Sequence, residues 1–201
     1  MELKNKFILD ACCGGRMMWF NKHHPNAVYI DNRLASKGHI QKGFNPNHEV
    51  RPDIVMDFRK IDFEDKSFKL VVLDPPHLTS LTESSVMRKK FGYLNAETWQ
   101  SDLQKGFSEC WRVLQDYGVL VFKWNDIEIP YKKVLSLIKQ KPLFFNISAG
   151  QKALKDGHRS YWFCFMKIPI ANEGGVFTQA PAGVVELSSN PIKTKPLIKG
   201  I

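Results

Sequence analysis

The stretch Val71-Val72-Leu73-Asp74-Pro75-Pro76-His77 constrains this chain more than any other. The apolar run from Leu70 to Leu73 has no polar alternation, the pattern of a strand covered on both faces, and two prolines then end ladder bonding at once. Strands of that kind belong to parallel α/β sheets, whose ligands sit outside the carboxyl ends of the strands. Asp74 is therefore a carboxylate where such a sheet binds. The fixed backbone of Pro75 and Pro76 lets the Pro75 carbonyl point at the same target as the Asp74 side chain, while His77 offers a flat ring nearby. Two acceptors and a stacking face suit a planar base that bears an exocyclic amine.

The Asp74-Pro75-Pro76-His77 segment resembles the Asp/Asn/Ser-Pro-Pro-aromatic tetrapeptide of class I S-adenosylmethionine (SAM) methyltransferases that methylate amino nitrogens, usually of adenine or cytosine. The resemblance runs from Lys6 to Lys167 and is strongest at Asp10 to Arg16, Asp31, Asp57 and Asp74 to His77. Some small methyltransferases encoded in phages and prophages look similar in these blocks, including Phe122-Lys123-Trp124-Asn125. It implies a Rossmann-like α/β fold with a mainly parallel seven-stranded sheet flanked by helices, SAM as the cofactor, and Asp74, Pro75, Pro76 and His77 as the catalytic set.

Lys6 to Asp10 is a short buried-strand pattern, and Ala11-Cys12-Cys13-Gly14-Gly15 is small enough for a tight turn into a helix beginning at Arg16-Met17-Met18-Trp19-Phe20. A helix N-terminus there suits the methionine carboxylate of SAM. Asp10, Ala11, Cys12, Cys13, Gly14 and Arg16 are thus cofactor candidates, although Cys12 and Arg16 stand where the family's first motif has its outer glycines. Arg16 either pairs with the carboxylate or is a solvated first-turn residue. A nicotinamide fingerprint, G-x-G-x-x-G, is absent. Ala27 to Asp31 is a second strand tipped by an acid, at roughly the 20-residue offset where such folds place a ribose-binding carboxylate, with Asn32 beside it. Ile54 to Phe58 is a third. By resemblance, Asp57 would accept from the adenine amine of SAM and the Phe58 amide would meet its ring nitrogen.

The segment Val86 to Tyr93 interleaves Arg88, Lys89 and Lys90 with aromatics, which suits phosphates and stacked bases or, equally, a solvated helix face. Apolar spacing from Ala96 to Leu114 gives an amphipathic helix, with Trp99 and Trp111 as core residues. A turn at Asp116-Tyr117-Gly118 precedes a buried strand, Val119 to Asp126, that by resemblance lies beside the Asp74 strand. Lys123 and Asn125 then face the pocket, or Lys123 pairs with a nearby carboxylate. Pro130 opens a helix ending near Gln140, and Leu143 to Ile147 and Ser160 to Phe165 give two final strands. Between them, Lys152, Lys155 and Arg159 sit in a basic loop that is a second candidate for phosphate contact.

With 201 residues, 43% of them hydrophobic, the chain fits one core, read as a methyltransferase domain over residues 1–170. From Ala171 glycine, proline and serine dominate, and residues 171–201 read as a tail that is disordered, wraps the core or swaps onto a neighbour. The net charge of +9 favours a polyanionic partner, with nucleic acid first; as a methyl acceptor, DNA is expected ahead of RNA. Cys12, Cys13, Cys110 and Cys164 lack metal-site spacing, so no metal is expected and a reducing, cytoplasmic location fits best. The sequence contains no signal-peptide pattern or membrane-length apolar run. Oligomeric state is not legible. The competing readings are a SAM-fold module that lost catalysis but binds nucleic acid or a partner, and a methyltransferase for protein or small-molecule amines.

Overall fold

The computed structural model describes residues 4–40, 45–148 and 159–169. Their elements, all within the first of two units (Met1–Ile168), are β1 (Ile8–Asp10), β2 (Ala27–Asp31), β3 (Ile54–Val55), β4 (Phe68–Leu73), α1 (Val86–Phe91), α2 (Trp99–Val113), β5 (Leu114–Asn125), α3 (Tyr131–Leu135), β6 (Phe144–Ser148) and β7 (Ser160–Met166). The strands form one seven-stranded sheet in the order β3-β2-β1-β4-β5-β7-β6. β1 to β5 pair in parallel, and β7 returns antiparallel between β5 and β6. This is the mainly parallel, Rossmann-like seven-stranded sheet that the family resemblance implies. The order reverses between β1 and β4, so the ends of those two strands flank the crevice where such sheets take ligands.

The β2 run Ala27-Val28-Tyr29-Ile30-Asp31 is buried throughout, as a strand inside a parallel sheet must be. α2 buries Trp99, Leu103, Phe107 and Cys110, a stripe at helical spacing, against the sheet. Trp99 is buried, and Trp111 packs partly buried on the same core. α2 runs into β5 with no loop. The expected turn at 116–118 is an irregularity within β5: Tyr117 has φ of +61°, and the β4–β5 register shifts between Phe68 and Leu70. Both final strands form, whereas the helix after Pro130 stops at Leu135.

The expected helix at Arg16 to Phe20 does not form; residues 11–24 make successive turns. Gly14 and Arg16 have φ of +47° and +53°, outside the helical region. Trp19 Nε1 donates to Asp10 at 2.7 Å, and Arg16 is pulled toward Asp53, so side-chain anchors override a helix that a few residues cannot sustain alone. The helix terminus expected at this turn is therefore absent.

Residues 170–201, and with them the tail expected from Ala171, lie outside the described residues, as do Lys152 and Lys155. Among the described residues no helix is long and apolar enough to cross a membrane.

Candidate active site

A cavity of about 680 Å³ opens at the carboxyl ends of β1, β2, β4 and β5. Its floor is the β1 turn. Ala11, Cys12, Cys13 and Gly14 line it, while Asp10 lies beneath, 1% exposed, and accepts from the Cys12 amide and the Trp19 indole. Burial drives the Asp10 carboxyl from 3.8 to about 7 in spite of those two donors. Its work is to hold the turn. Arg16 lies on the other side of that turn and not in the cavity. Its guanidinium is 3.8 Å from the Tyr29 ring centroid and donates to Lys22 O, Arg51 O and Asp53 at 2.8 to 2.9 Å. With all its strong contacts inside the protein, it is a buried structural residue and not the partner of a bound carboxylate.

Asp31 and Asn32 line the cavity at the tip of β2. Asp31 accepts from Gly14 N at 2.9 Å and from Arg33 N, Nε and Nη2 at 2.9 to 3.0 Å. At the tip of β3 the same chemistry repeats one motif later. Asp57 accepts from Arg59 N, Nε and Nη2, and Asn32 Nδ2 approaches at 3.5 Å. Burial alone would raise the Asp57 carboxyl, but the Arg59 hydrogen bonds and charge outweigh it and hold it below its ordinary value. Phe58 lines the cavity with its ring against Gly106; Asp57 does not line it.

The parallel register pairs Leu73 with Phe122, and the antiparallel register pairs Lys123 with Trp162. One rung across three strands therefore carries Asp74, Lys123 and Trp162, all in the cavity wall. Lys123 Nζ donates to Asp74 Oδ2 at 2.7 Å and sits 5.6 Å from the Trp162 ring centroid. Among the described residues Lys123 is the one donor to Asp74, which leaves Oδ1 free, and none donates to the Pro75 carbonyl. Asn125, two residues on, bonds Ser160 Oγ and is not in the wall. Burial lowers the pKa of His77, with Asp74 opposing it, so the ring is neutral at neutral pH and stands edge-to-face to Trp124. The loop after His77 is tied down by Glu128, which accepts from the Thr79 amide at 2.6 Å, from Thr79 Oγ1 at 2.9 Å and from Ser80 Oγ.

α1 and the turn after it roof the cavity. The Leu94 amide donates to Leu78 O, closing this segment on itself, and Gly92, with φ of +80°, passes so close to Pro76 that a Cβ would lie 3.1 Å from Pro76 Cγ. Of the three cations here, only Lys90 lines the cavity. Arg88 stacks on Tyr93 and donates to Leu81 O, and Lys89 donates to Ile40 O, so both serve the roof. Arg159 is exposed, its amide bonded to Asp126.

Sequence reasoning missed Arg33, Arg59, Glu128 and Trp162. The two arginines had a visible signal, since Asp31-Asn32-Arg33 and Asp57-Phe58-Arg59 repeat one Asp-X-Arg pattern at successive strand tips. Glu128 and Trp162 had none, because loop closure and strand return bring them in from far along the chain. Among the described residues no cluster of His, Cys, Asp and Glu is fit to hold a metal.

No family model matches the sequence, and no curated protein matches it. Among solved structures the chain is similar to the [4+2]-cyclase SpnF (TM-score 0.50, 9% identity, covering 83% of this chain and 76% of that one). It is also similar to the PH0226 protein from Pyrococcus horikoshii OT3 (0.48, 19%, 82% and 83%). A third is geranyl diphosphate C-methyltransferase from Streptomyces coelicolor A3(2), crystallised with Mg²⁺, geranyl diphosphate and S-adenosyl-L-homocysteine (0.47, 13%, 81% and 71%). At these identities the likeness is one of fold, and function has to be argued from the site.

Proposed function

We propose that the chain is a SAM-dependent methyltransferase that transfers a methyl group to the exocyclic amino nitrogen of a nucleic-acid base. The observation that carries this reading is the opening of Asp31, Asn32 and Asp74 into one cavity at the strand ends. Asp31 supplies a ribose-binding carboxylate; Phe58 supplies an apolar wall for adenine. Asp74 Oδ1 and the Pro75 carbonyl offer two acceptors to the two N-H groups of an aromatic amine. Held that way beside a neutral His77 face, the amine is positioned for in-line attack on the sulfonium methyl. SAM, when bound, would supply the methyl group from its sulfonium and leave as the thioether, and the methylated nitrogen would shed a proton to water. Lys123 fixes the orientation of the Asp74 carboxylate, and Trp162 adds an aromatic surface beside it. A base in a duplex has to be flipped out to reach Asp74, so mismatched, looped or single-stranded targets are favoured. Lys90 and the net charge of +9 favour a polyanion.

The Asp74–Lys123 ion pair also favours a second reading, in which Asp74 is committed to lysine and the chain is a binding module without catalysis. One experiment separates the two. Tritiated SAM is offered with DNA, RNA and protein, and labelled polymers are digested for nucleoside mass spectrometry. The enzyme reading expects label on an exocyclic nitrogen of adenine or cytosine; SAM binding without label in any polymer would favour the module, and label in protein alone would reject the nucleic-acid substrate.

A further inference from the structure

We infer that Arg33 is an internal competitor for the cofactor's ribose: its guanidinium fills acceptor positions of Asp31 and is released toward α1 when ribose hydroxyls take them. The inference rests on the reading of Asp31 as the ribose carboxylate. A carboxylate has about four acceptor positions. All four are used here, Oδ1 by Arg33 N and Nε and Oδ2 by Gly14 N and Arg33 Nη2. A ribose hydroxyl that donates to Asp31 must therefore displace a protein donor.

Two of the four are main-chain amides. The Gly14 amide belongs to a turn pinned by Cys13 N to Ile30 O at 2.9 Å, and the Arg33 amide is only two residues from the carboxylate. The other two belong to a single side chain that rotates as a unit and is 27% exposed. Arg33 is thus the donor that can leave. It also has a place to go: Nη1 is 3.5 Å from Lys90 O, and the Gly92 backbone lies beside Cζ, so a small rotation strengthens a bond to the roof of the cavity. The second Asp-X-Arg pair shows the contrast. Arg59 bonds Asp57 and also Asp102, at 3.0 Å, and Asp102 is itself buried and held by Thr98. Arg59 is anchored twice; Arg33 has Asp31 as its one acid partner among the described residues.

The consequence is unusual for a residue in a binding site, because removing it should improve binding. Calorimetry with SAM on the full chain tests this with Arg33→Met, which keeps the packing stem. Release from a competing charge-assisted bond corresponds to SAM affinity about tenfold tighter than wild type. Arg33→Lys, with one point donor in place of a fork, should fall between the two and carries the test should the methionine variant not fold. In an Asp31→Ala background the Arg33→Met gain should vanish. Wild-type affinity or weaker in both Arg33 variants would overturn the inference while leaving the cofactor reading intact, as would a gain that persists without Asp31. Absence of SAM binding to the wild type would overturn both.

Discussion

Gly106→Ala should disturb the proposed cofactor site from inside α2. In a helix interior this change ordinarily stabilises by about 1 kcal/mol, because alanine has the lower backbone entropy cost. Here the added Cβ would lie 2.2 Å from Phe58 Cδ2 and Cε2, whereas ordinary contact begins at 3.4 Å. The ring must retreat by more than an ångström. Overpacking of that kind costs about 1 to 3 kcal/mol, so the clash cancels or exceeds the helix gain and net stability is expected to stay level or fall by up to about 2 kcal/mol. One side of Phe58 faces Gly106 and the other the cavity, so the cheapest relief turns the ring into the space assigned to adenine. SAM affinity should therefore drop at least tenfold, about 1.4 kcal/mol. Urea denaturation and SAM calorimetry read the two effects separately. Gly106→Ala combined with Phe58→Leu should recover affinity beyond the sum of the single changes, the mark of a direct contact. A single Gly106→Ala variant that gains the full 1 kcal/mol and binds SAM normally would refute the packing of Phe58 between helix and cavity.

Three further outcomes follow from the site. Glu128→Ala frees Thr79 and Ser80 and with them the His77 loop, so transfer should slow about tenfold or more while SAM affinity stays within about twofold; an unchanged single-turnover rate would show that the tie is dispensable. His77 is held neutral by burial, so His77→Phe should keep much of the activity and His77→Ala should lose it. A phenylalanine variant as inactive as alanine, with a wild-type rate that follows one ionisation below a histidine's ordinary value of about 6.5, would point instead to proton transfer. Asp10 should leave a signature in stability against pH. Its folded carboxyl titrates at about 7 and its unfolded one near 3.8, so the native state holds the proton more tightly and the contribution, complete below about pH 4, is lost as pH rises toward 7. That is roughly 1.4 kcal/mol per pH unit across the window, on the order of 4 kcal/mol in all. Denaturation midpoints at pH 5, 6 and 7 should show this slope in wild type and a flatter one in Asp10→Ala; parallel slopes would mean that Asp10 does not titrate there.

The β2 and β4 strands and their acidic tips were legible because burial on both faces leaves an uninterrupted apolar run, which Asp31 and Asp74 end; the apolar pair before Asp57 is a two-residue edge strand with Val55 exposed, and there the acid is the clearer mark. Legibility failed where one side chain's partner decides the backbone. Nothing in Arg16-Met17-Met18-Trp19 announces that Asp53 and Asp10 will claim the arginine and the tryptophan and unwind the first helix turn. From the sequence alone Lys123 either faces the pocket or pairs with an acid. It does both, and only the register of β4 against β5 decides that. Trp162 reaches the same rung through an antiparallel return of nearly 40 residues, beyond any local pattern. The Asp-X-Arg pairs are the opposite case, since the spacing is local and the hydrogen bonds follow from it.

The proposed chemistry stands or falls on the Asp74 carboxylate. Single-turnover transfer of labelled methyl from saturating SAM to the polymer that accepts it should fall by orders of magnitude in Asp74→Ala, with SAM affinity by calorimetry close to wild type, because the bond to the target amine matters most in the transition state. A wild-type transfer rate in folded Asp74→Ala that still binds SAM would contradict the amino-methyltransferase mechanism.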